Sequence, residues 1–242
     1  MKKKEKETSK RKVFFSGMPK TGTKCMAKYC NFYTHNHRMP RDTNLKKNDN
    51  IITLMNVRNP LSYYVSVYNF KIKGGNEKIK DYGIMTNNSF EDFFNEKIKM
   101  KNLKRWIKPK SRNYSRFSKY EHKKIGFYTL SFIHWSFTDF AKVLDHDDVN
   151  EYLTKFFDSE TTIKNHLRLE NLQSEYDDFT DRYGLPSTSF QKTHSYPHDP
   201  YSEYYTEEMI NEIYELDRFI FDRFYPNEIN NKEASDHMVE ND

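Results

Sequence analysis

Two glycines and a lysine lie in a short stretch that could bind a phosphate. Residues 13–25 read VFFSGMPKTGTKC, so an apolar run is followed by Gly17 and Gly22 with four residues between them. A glycine-rich turn between a strand and a helix directs several backbone N–H groups at one point, where the helix dipole favours negative charge. The stretch therefore predicts a phosphate-binding loop.

The loop differs from ATP- and GTP-binding loops at the two positions after Gly22. Those loops place a lysine directly after the second glycine and then a serine or threonine that binds Mg²⁺. Here Thr23 and Lys24 occupy these positions. The lysine that we expect to contact the phosphate, Lys20, lies inside the turn. No aspartate ends the next apolar run to hold a metal ion. A P-loop kinase that uses Mg–ATP is therefore the weaker alternative.

A second anion contact is expected at the end of that next apolar run, IITLMNV at 51–57. Arg58 follows it, and a guanidinium can bind a phosphate through two parallel hydrogen bonds. Pro60 permits a helix to begin, and Ser66 would lie on that helix two turns along. The two segments together offer a second phosphate site where a triphosphate loop would need a metal-binding aspartate.

These two segments resemble the donor-binding motifs of sulfotransferases that use 3′-phosphoadenosine 5′-phosphosulfate (PAPS). PKTGT at 19–23 resembles the loop that binds the 5′-phosphosulfate. VRNPLSYYVSVYNF at 57–70 resembles the segment that binds the 3′-phosphate, with Arg58, Ser66 and Tyr68 at the positions of the family.

Two further segments resemble the same family. LRLENL at 167–172 is similar to a strand that ends in Arg-Tyr-Glu-Asp-Leu; Arg168 and Glu170 match, and Leu169 stands in place of the tyrosine. The stretch at 201–226 is similar to the last helix of the carbohydrate-type enzymes. The resemblance thus extends over most of the chain.

The resemblance implies a P-loop NTPase-like sulfotransferase fold and an enzyme that transfers a sulfuryl group from PAPS to a hydroxyl, with a carbohydrate as the expected acceptor and no metal ion. The implied donor-binding residues are Lys20, Thr21, Gly22, Thr23, Lys24, Arg58 and Ser66. Lys20 is also implied in catalysis, because its charge would stabilise the bridging oxygen as the S–O bond breaks. Loss of Arg58 or Ser66 should instead raise the KM of the donor.

The acceptor hydroxyl needs a base, and FYTHNHRMP at 32–40 contains two candidates. In cytosolic sulfotransferases the base is the histidine of a Lys-Thr-His segment that lies a little over twenty residues before the arginine. His35 follows Thr34 and lies 23 residues before Arg58, so it is the first candidate and His37 is the second.

Alternatives to a histidine base stay open. The carboxylates of Asp42 and Asp49 can substitute, and both histidines can instead be exposed loop residues without a catalytic role. A metal site formed by Cys30 and the two histidines is weaker, because no fourth ligand has suitable spacing.

The apolar runs predict an α/β fold with a central parallel β-sheet flanked by helices. Three of them are typical of buried strands: VFFS at 13–16, IITLMNV at 51–57 and TIKNHLRLE at 162–170. Each is followed by a helical pattern. We expect one domain over 12–226, between a disordered basic arm at 1–11 and a disordered polar tail at 227–242.

Two helical stretches are clear. Near the C-terminus, Thr206 is a good N-cap, an apolar ridge runs from Met209 to Phe224, and Pro226 ends the helix. The stretch at 125–140 is apolar on more than one side and therefore predicts a buried helix.

Composition limits the classes of function. The 19 Phe and 18 Tyr can build a core in a chain that is 31% charged. No run of about 18 apolar residues and no signal-peptide stretch occurs, so we expect a cytoplasmic protein without a membrane partner. With only two cysteines, a disulfide framework is excluded.

The net charge of +5 is concentrated in the middle of the chain. Residues 71–124 contain 16 Lys and Arg against 6 Asp and Glu. This balance is typical of a solvated face, and it leaves a basic nucleic-acid-binding protein as the alternative outside enzymes. No nucleic-acid-binding motif accompanies it, so that partner is not the expected one.

Overall fold

The structure, a computed structural model, describes residues 12–29, 39–42, 45, 51–72, 89–101, 117–190 and 200–227, with the backbone alone at 27–29, 42 and 71–72. The strands are β1 (Lys12–Ser16), β2 (Ile51–Val57) and β3 (Asn165–Arg168). The helices are α1 (Thr23–Tyr29), α2 (Pro60–Ile72), α3 (Phe90–Phe93), α4 (Phe127–Ser136), α5 (Phe140–Leu144), α6 (Val149–Glu160), α7 (Leu172–Tyr183), α8 (Glu207–Leu216) and α9 (Arg218–Phe224). A π-helical turn at Phe94–Ile98 continues α3, and short 3₁₀ turns lie at Pro40–Asp42, Ser118–Tyr120, Leu169–Asn171 and Tyr201–Glu203.

The three strands form one parallel sheet with β2 in the middle. Phe14 lies opposite Thr53 in the β1–β2 pair, and Leu54 lies opposite Asn165 in the β2–β3 pair. The predicted α/β fold with a parallel sheet flanked by helices is confirmed. β3 is shorter than the apolar run at 162–170, because the chain leaves the strand for a 3₁₀ turn after Arg168.

Side chains of β1 alternate between two apolar clusters, one on each face of the sheet. Phe14 belongs to the larger cluster, which also contains the buried residues of α2, α4 and α9. Val13 and Phe15 belong to the smaller cluster, together with Met26 of α1 and Phe179 of α7. Helices therefore cover both faces, as a buried parallel sheet requires.

Helix α4 lies inside the molecule, as the apolar stretch at 125–140 predicted. All ten of its residues are buried. The helix ends at Ser136, and α5 begins at Phe140 because the carboxylate of Asp139 accepts a hydrogen bond from the backbone N–H of Lys142 at 3.4 Å. The predicted stretch thus holds one helix and the start of another.

The C-terminal stretch differs from the prediction of one continuous helix. The hydroxyl of Thr206 accepts a hydrogen bond from the N–H of Met209 at 3.3 Å, so the predicted N-cap is confirmed. α8 then ends at Leu216, because Asp217 has non-helical angles (φ −114°, ψ 25°), and α9 continues to Phe224. The side chain of Asp217 is fully buried against α4, a tertiary contact that a helical pattern does not contain.

The predicted basic arm at 1–11 lies outside the described residues, as does the polar tail after Asn227. Much of the basic segment at 71–124 also lies outside them. Among the described helices, none combines the length and the hydrophobicity that crossing a bilayer requires.

Candidate functional site

The loop between β1 and α1 is held by its own threonines. The hydroxyls of Thr21 and Thr23 both donate to the carbonyl oxygen of Met18, at 2.8 Å and 2.7 Å. Both side chains are buried. Since these hydroxyl hydrogens are used within the loop, the donors that the loop offers to an anion are its backbone N–H groups and the ammonium of Lys20.

The loop turns at two residues with positive φ, Lys20 (69°) and Gly22 (80°). A Cβ at Gly22 would lie 2.6 Å from Cδ1 of Leu169, so glycine suits both the conformation and the close packing there. The side-chain amide of Asn56 in β2 donates to the carbonyl of Thr21 at 3.0 Å. This hydrogen bond therefore ties the loop to the middle strand of the sheet.

The start of α1 leaves several backbone donors available. No described group accepts a hydrogen bond from the N–H of Gly22, Thr23 or Lys24. The first N–H groups of any α-helix lack intrahelical partners and carry partial positive charge. These three groups can bind an anion above the loop.

Arg58 comes directly after β2 and reaches the loop. Its backbone N–H donates to the hydroxyl of Tyr128 at 2.9 Å, and its Nη1 donates to the carbonyl of Lys20 at 3.3 Å. Its Nε is buried and has no hydrogen-bond partner among the described residues. A buried donor without a partner costs about 1–3 kcal/mol. An anion beside Arg58 would remove that cost.

The ammonium of Lys20 lies close to the same place, 4.4 Å above the ring of Phe70 in α2. Burial, then Arg58, then Lys24 lower the pKa of Lys20 to about 8. Burial also lowers the pKa of Arg58. Lys24 is exposed in the first turn of α1, so it adds charge to the site from the solvent side. A bound anion would relieve this crowding of cations.

Glu170 is a carboxylate close enough to Arg58 to oppose the lowering of its pKa. Both of its oxygens are engaged, because Oε1 accepts from the N–H of Asn59 at 3.0 Å and Oε2 accepts from the hydroxyl of Tyr225 at 2.9 Å. It therefore holds the peptide after Arg58. Glu170 matches a motif of the family that the chain resembles, but no role was predicted for it.

Ser66 is half-buried on α2, one turn before Phe70. Residues four apart share one face of a helix, so Ser66 lies on the face that meets Lys20. Tyr68, which the resemblance placed in the same motif, packs instead on Phe90, with ring centroids 5.2 Å apart. Its ring is partly buried against the larger apolar cluster.

The candidate bases His35 and His37 lie outside the described residues, as does Asp49. Asp42 ends a 3₁₀ turn, and only its backbone is described. Within the described parts of the chain, no group of three or more His, Cys, Asp or Glu side chains could hold a metal ion. Cys30 is also outside them.

A cavity of about 340 Å³ lies away from this loop, between β3, α6, α7 and α9. His166 lines it, and its buried Nε2 has no hydrogen-bond partner among the described residues. Burial lowers the pKa of His166 to about 3, so the imidazole is neutral. Acidic and basic side chains both line the cavity, and Asp158 pairs there with Arg223 at 2.6 Å. Because the lining carries both signs of charge, it favours neither an anionic nor a cationic ligand.

The structure thus brings the predicted loop, Lys20 and Arg58 together at the C-terminal ends of β1 and β2, where parallel α/β sheets bind ligands. Comparisons with family models, with curated proteins and with solved structures found no match to the chain. A function for this site must therefore be argued from its own residues.

Proposed function

We propose that the protein is a sulfotransferase that moves the sulfuryl group from PAPS to a hydroxyl acceptor, within a P-loop-like sulfotransferase fold. The observation that carries the proposal is the meeting of Lys20 and Arg58, whose Nη1 lies 3.3 Å from the Lys20 carbonyl oxygen. PAPS carries phosphate groups at both its 5′ and 3′ positions. It needs two cationic contacts that are close together but separate, and the ends of two neighbouring strands supply them.

Each contact has a preferred end of the donor. The backbone N–H groups of residues 22–24 and the Lys20 ammonium suit the 5′-phosphosulfate, because they cluster at the glycine loop. The guanidinium of Arg58 suits the 3′-phosphate, and Ser66 on the neighbouring face of α2 can add a hydroxyl. The exposed Lys24 contributes charge to both.

The chemistry is an in-line displacement at sulfur. The acceptor oxygen forms a bond to sulfur while the bond from sulfur to the bridging phosphate oxygen breaks, and 3′-phosphoadenosine 5′-phosphate (PAP) leaves with the electron pair. Lys20 stabilises the negative charge that develops on that oxygen. The acceptor proton passes to a base, for which His35 is the first candidate and His37 the second. We infer a carbohydrate acceptor from the resemblance of residues 201–226 to the last helix of carbohydrate-type sulfotransferases.

A P-loop kinase fits these residues less well. Mg–ATP binding would need a lysine directly after Gly22, where the chain has Thr23, and an acidic residue at the end of β2, where the chain has Arg58. Arg58 would instead repel the metal ion. A basic nucleic-acid-binding protein would not need two half-buried cations at one end of a sheet.

Thermal-shift measurements test the proposal directly. PAP should raise the melting temperature, while Mg–ATP and a DNA oligomer should not. A ligand at 100 times its Kd stabilises the folded state by about 2.7 kcal/mol, which is easily measured. Arg58→Ala should lose most of the effect of PAP, whereas Arg182→Ala, a change at an exposed arginine of α7, should keep it.

Two results of that experiment would refute the proposal. Stabilisation by Mg–ATP alone would identify an ATP site, and stabilisation by DNA alone would identify a nucleic-acid-binding protein. If PAP binds, transfer from labelled PAPS is then measured with glycan, phenol and tyrosyl-peptide acceptors. Binding of PAP without transfer to any acceptor would identify a nucleotide-binding module that has no activity.

Binding of PAP should weaken as the pH rises above 8. The pKa of Lys20 is about 8, and a phosphate favours the protonated ammonium. Above that pH binding is coupled to proton uptake by Lys20, so affinity should fall as the pH rises, by less than about tenfold in total because the backbone N–H groups of residues 22–24 and Arg58 remain. Phosphate groups, with a second pKa of about 6, stay ionised throughout.

Calorimetric titration between pH 7 and pH 9.5 checks this dependence, and two buffers of different ionisation enthalpy reveal the proton uptake. Lys20→Arg is the matched control, because a guanidinium stays charged over this range. The variant should bind PAP with nearly constant affinity. A wild-type affinity that does not change up to pH 9.5 would contradict the role given to Lys20.

A further inference from the structure

Asp217 carries a fully buried carboxylate that receives three hydrogen bonds. Oδ1 accepts from the backbone N–H of Thr129 at 2.9 Å and from its hydroxyl at 2.6 Å, and Oδ2 accepts from the hydroxyl of Tyr64 at 2.7 Å. Thr129 lies in the first turn of α4, whose N-cap residue, Gly126, has no capping side chain. Asp217 therefore caps α4 from a distant part of the chain.

The backbone around Asp217 is shaped to bring the carboxylate to that helix end. A Cβ at Gly126 would lie 2.4 Å from Oδ1 of Asp217, so the approach requires a glycine. The N–H of Gly126 donates to the carbonyl of Leu216 at 3.0 Å, and the carbonyl of Asp217 accepts from the N–H of Ile220 at 2.9 Å. The break between α8 and α9 is thus a fixed part of the structure.

A path of hydrogen bonds continues from Asp217 to the candidate site. The hydroxyl of Tyr64 also accepts from the backbone N–H of Tyr128 at 2.8 Å, and the hydroxyl of Tyr128 accepts from the backbone N–H of Arg58 at 2.9 Å. Both tyrosine rings are fully buried. Because buried hydroxyls cannot exchange their partners with water, each bond constrains the next group.

We propose that Asp217, Tyr64 and Tyr128 are positioning residues that set the place of the Arg58 peptide, and through it the place of its guanidinium at the 3′-phosphate. The assignment rests on the proposed function. Recognition of a phosphate by a guanidinium depends on the direction of its N–H groups. The backbone of Arg58 therefore has to be held by packed neighbours, and these three residues do so.

Two measurements separate positioning from general stability. The first is the hydrogen-exchange rate of the Arg58 amide, followed by NMR in the full chain without ligand. The second is the affinity for PAP divided by the affinity for adenosine 5′-phosphate, which lacks the 3′-phosphate. Tyr128→Phe removes the acceptor of the Arg58 N–H, and Tyr64→Phe removes the link to Asp217. Tyr152→Phe is the control, because it loses a hydroxyl bonded to Glu160 at 2.7 Å on α6.

Tyr128→Phe should speed exchange of the Arg58 amide. It should also lower the ratio of affinities by about tenfold, which corresponds to the loss of one hydrogen bond of about 1.4 kcal/mol between the guanidinium and the 3′-phosphate. Tyr64→Phe should change both in the same direction by about threefold, since it acts through Tyr128. Tyr152→Phe should change neither. Affinity for adenosine 5′-phosphate should stay within about twofold in every variant, because the hydrogen bonds of Thr21, Thr23 and Asn56 still hold the glycine loop.

The measurements distinguish an error in this inference from an error in the proposed function. If wild-type protein does not bind PAP more tightly than adenosine 5′-phosphate, the proposed function and the inference fall together. If it does, an unchanged ratio in Tyr128→Phe overturns the inference alone. Unchanged exchange at Arg58 in either variant overturns the path of hydrogen bonds, as does a response in Tyr128→Phe without one in Tyr64→Phe.

Discussion

Replacing Lys20 by alanine is expected to lower the kcat of sulfuryl transfer by about 10²- to 10³-fold, the usual cost of removing a group that stabilises charge in the transition state. The affinity for PAP should fall by less than about tenfold, because the backbone N–H groups of residues 22–24 and Arg58 remain. Kinetics with labelled PAPS give kcat, and calorimetry gives the affinity for PAP.

The matched control is Lys155→Ala. Lys155 is exposed on α6, where its ammonium pairs with Glu151, so its removal takes away a similar charge from an element that contributes no residue to the anion site. We expect its kcat to change by less than about threefold, as for a screened surface charge. If Lys20→Ala instead raises the KM of the donor with kcat unchanged, Lys20 serves in ground-state binding alone.

Replacing Asp217 by alanine is expected to lower the free energy of unfolding by about 3–9 kcal/mol. Three buried donors, two on Thr129 and one on Tyr64, would lose their acceptor, at about 1–3 kcal/mol each. Typical domains have only about 5–15 kcal/mol in total. Urea unfolding at pH 7, followed by tryptophan fluorescence and circular dichroism, measures the loss.

Asp222→Ala is the control for Asp217. Asp222 is exposed on α9 and accepts one hydrogen bond from the hydroxyl of Tyr214 at 2.9 Å, so its loss should cost less than about 1 kcal/mol. Burial raises the pKa of Asp217 to about 6, above its unfolded value. The folded state then holds its proton to higher pH than the unfolded chain, so this group's contribution to stability falls as the pH rises from about 4 to 6.

That pH dependence should be weaker in Asp217→Ala than in the wild type, because the titrating group is gone. An equal dependence in both proteins would mean that Asp217 does not titrate with the raised pKa. A loss of stability below about 1 kcal/mol would show that the three donors find other acceptors.

The elements that depend on local sequence were predicted well. β1 and β2 match the apolar runs to within one residue, because a strand of a parallel sheet is buried on both faces and reads as a continuous apolar run. The loop after β1 and the position of Arg58 follow from those strand ends. Thr206 begins α8 as predicted, since an N-cap acts within three residues.

The elements that depend on distant contacts were not predicted. No role was predicted for Asp217, although it lies four residues after Ile213 and three before Ile220, on the apolar face of the predicted helix. That placement was the available signal. The roles of Tyr64 and Tyr128 carried no such signal, because tyrosines are common in this chain and the partners of these two hydroxyls lie on other elements. The sulfotransferase activity stays a proposal.

The cap that Asp217 places on α4 has a consequence for how the protein matures on the ribosome. Asp217 and Tyr64 are 153 residues apart in the sequence, so their hydrogen bond forms only after most of the chain has been synthesised. β1, β2 and the glycine loop can emerge and begin to pair long before, while the Arg58 peptide still lacks its final neighbours. A nascent chain would therefore gain its complete anion site late, when α8 and α9 dock.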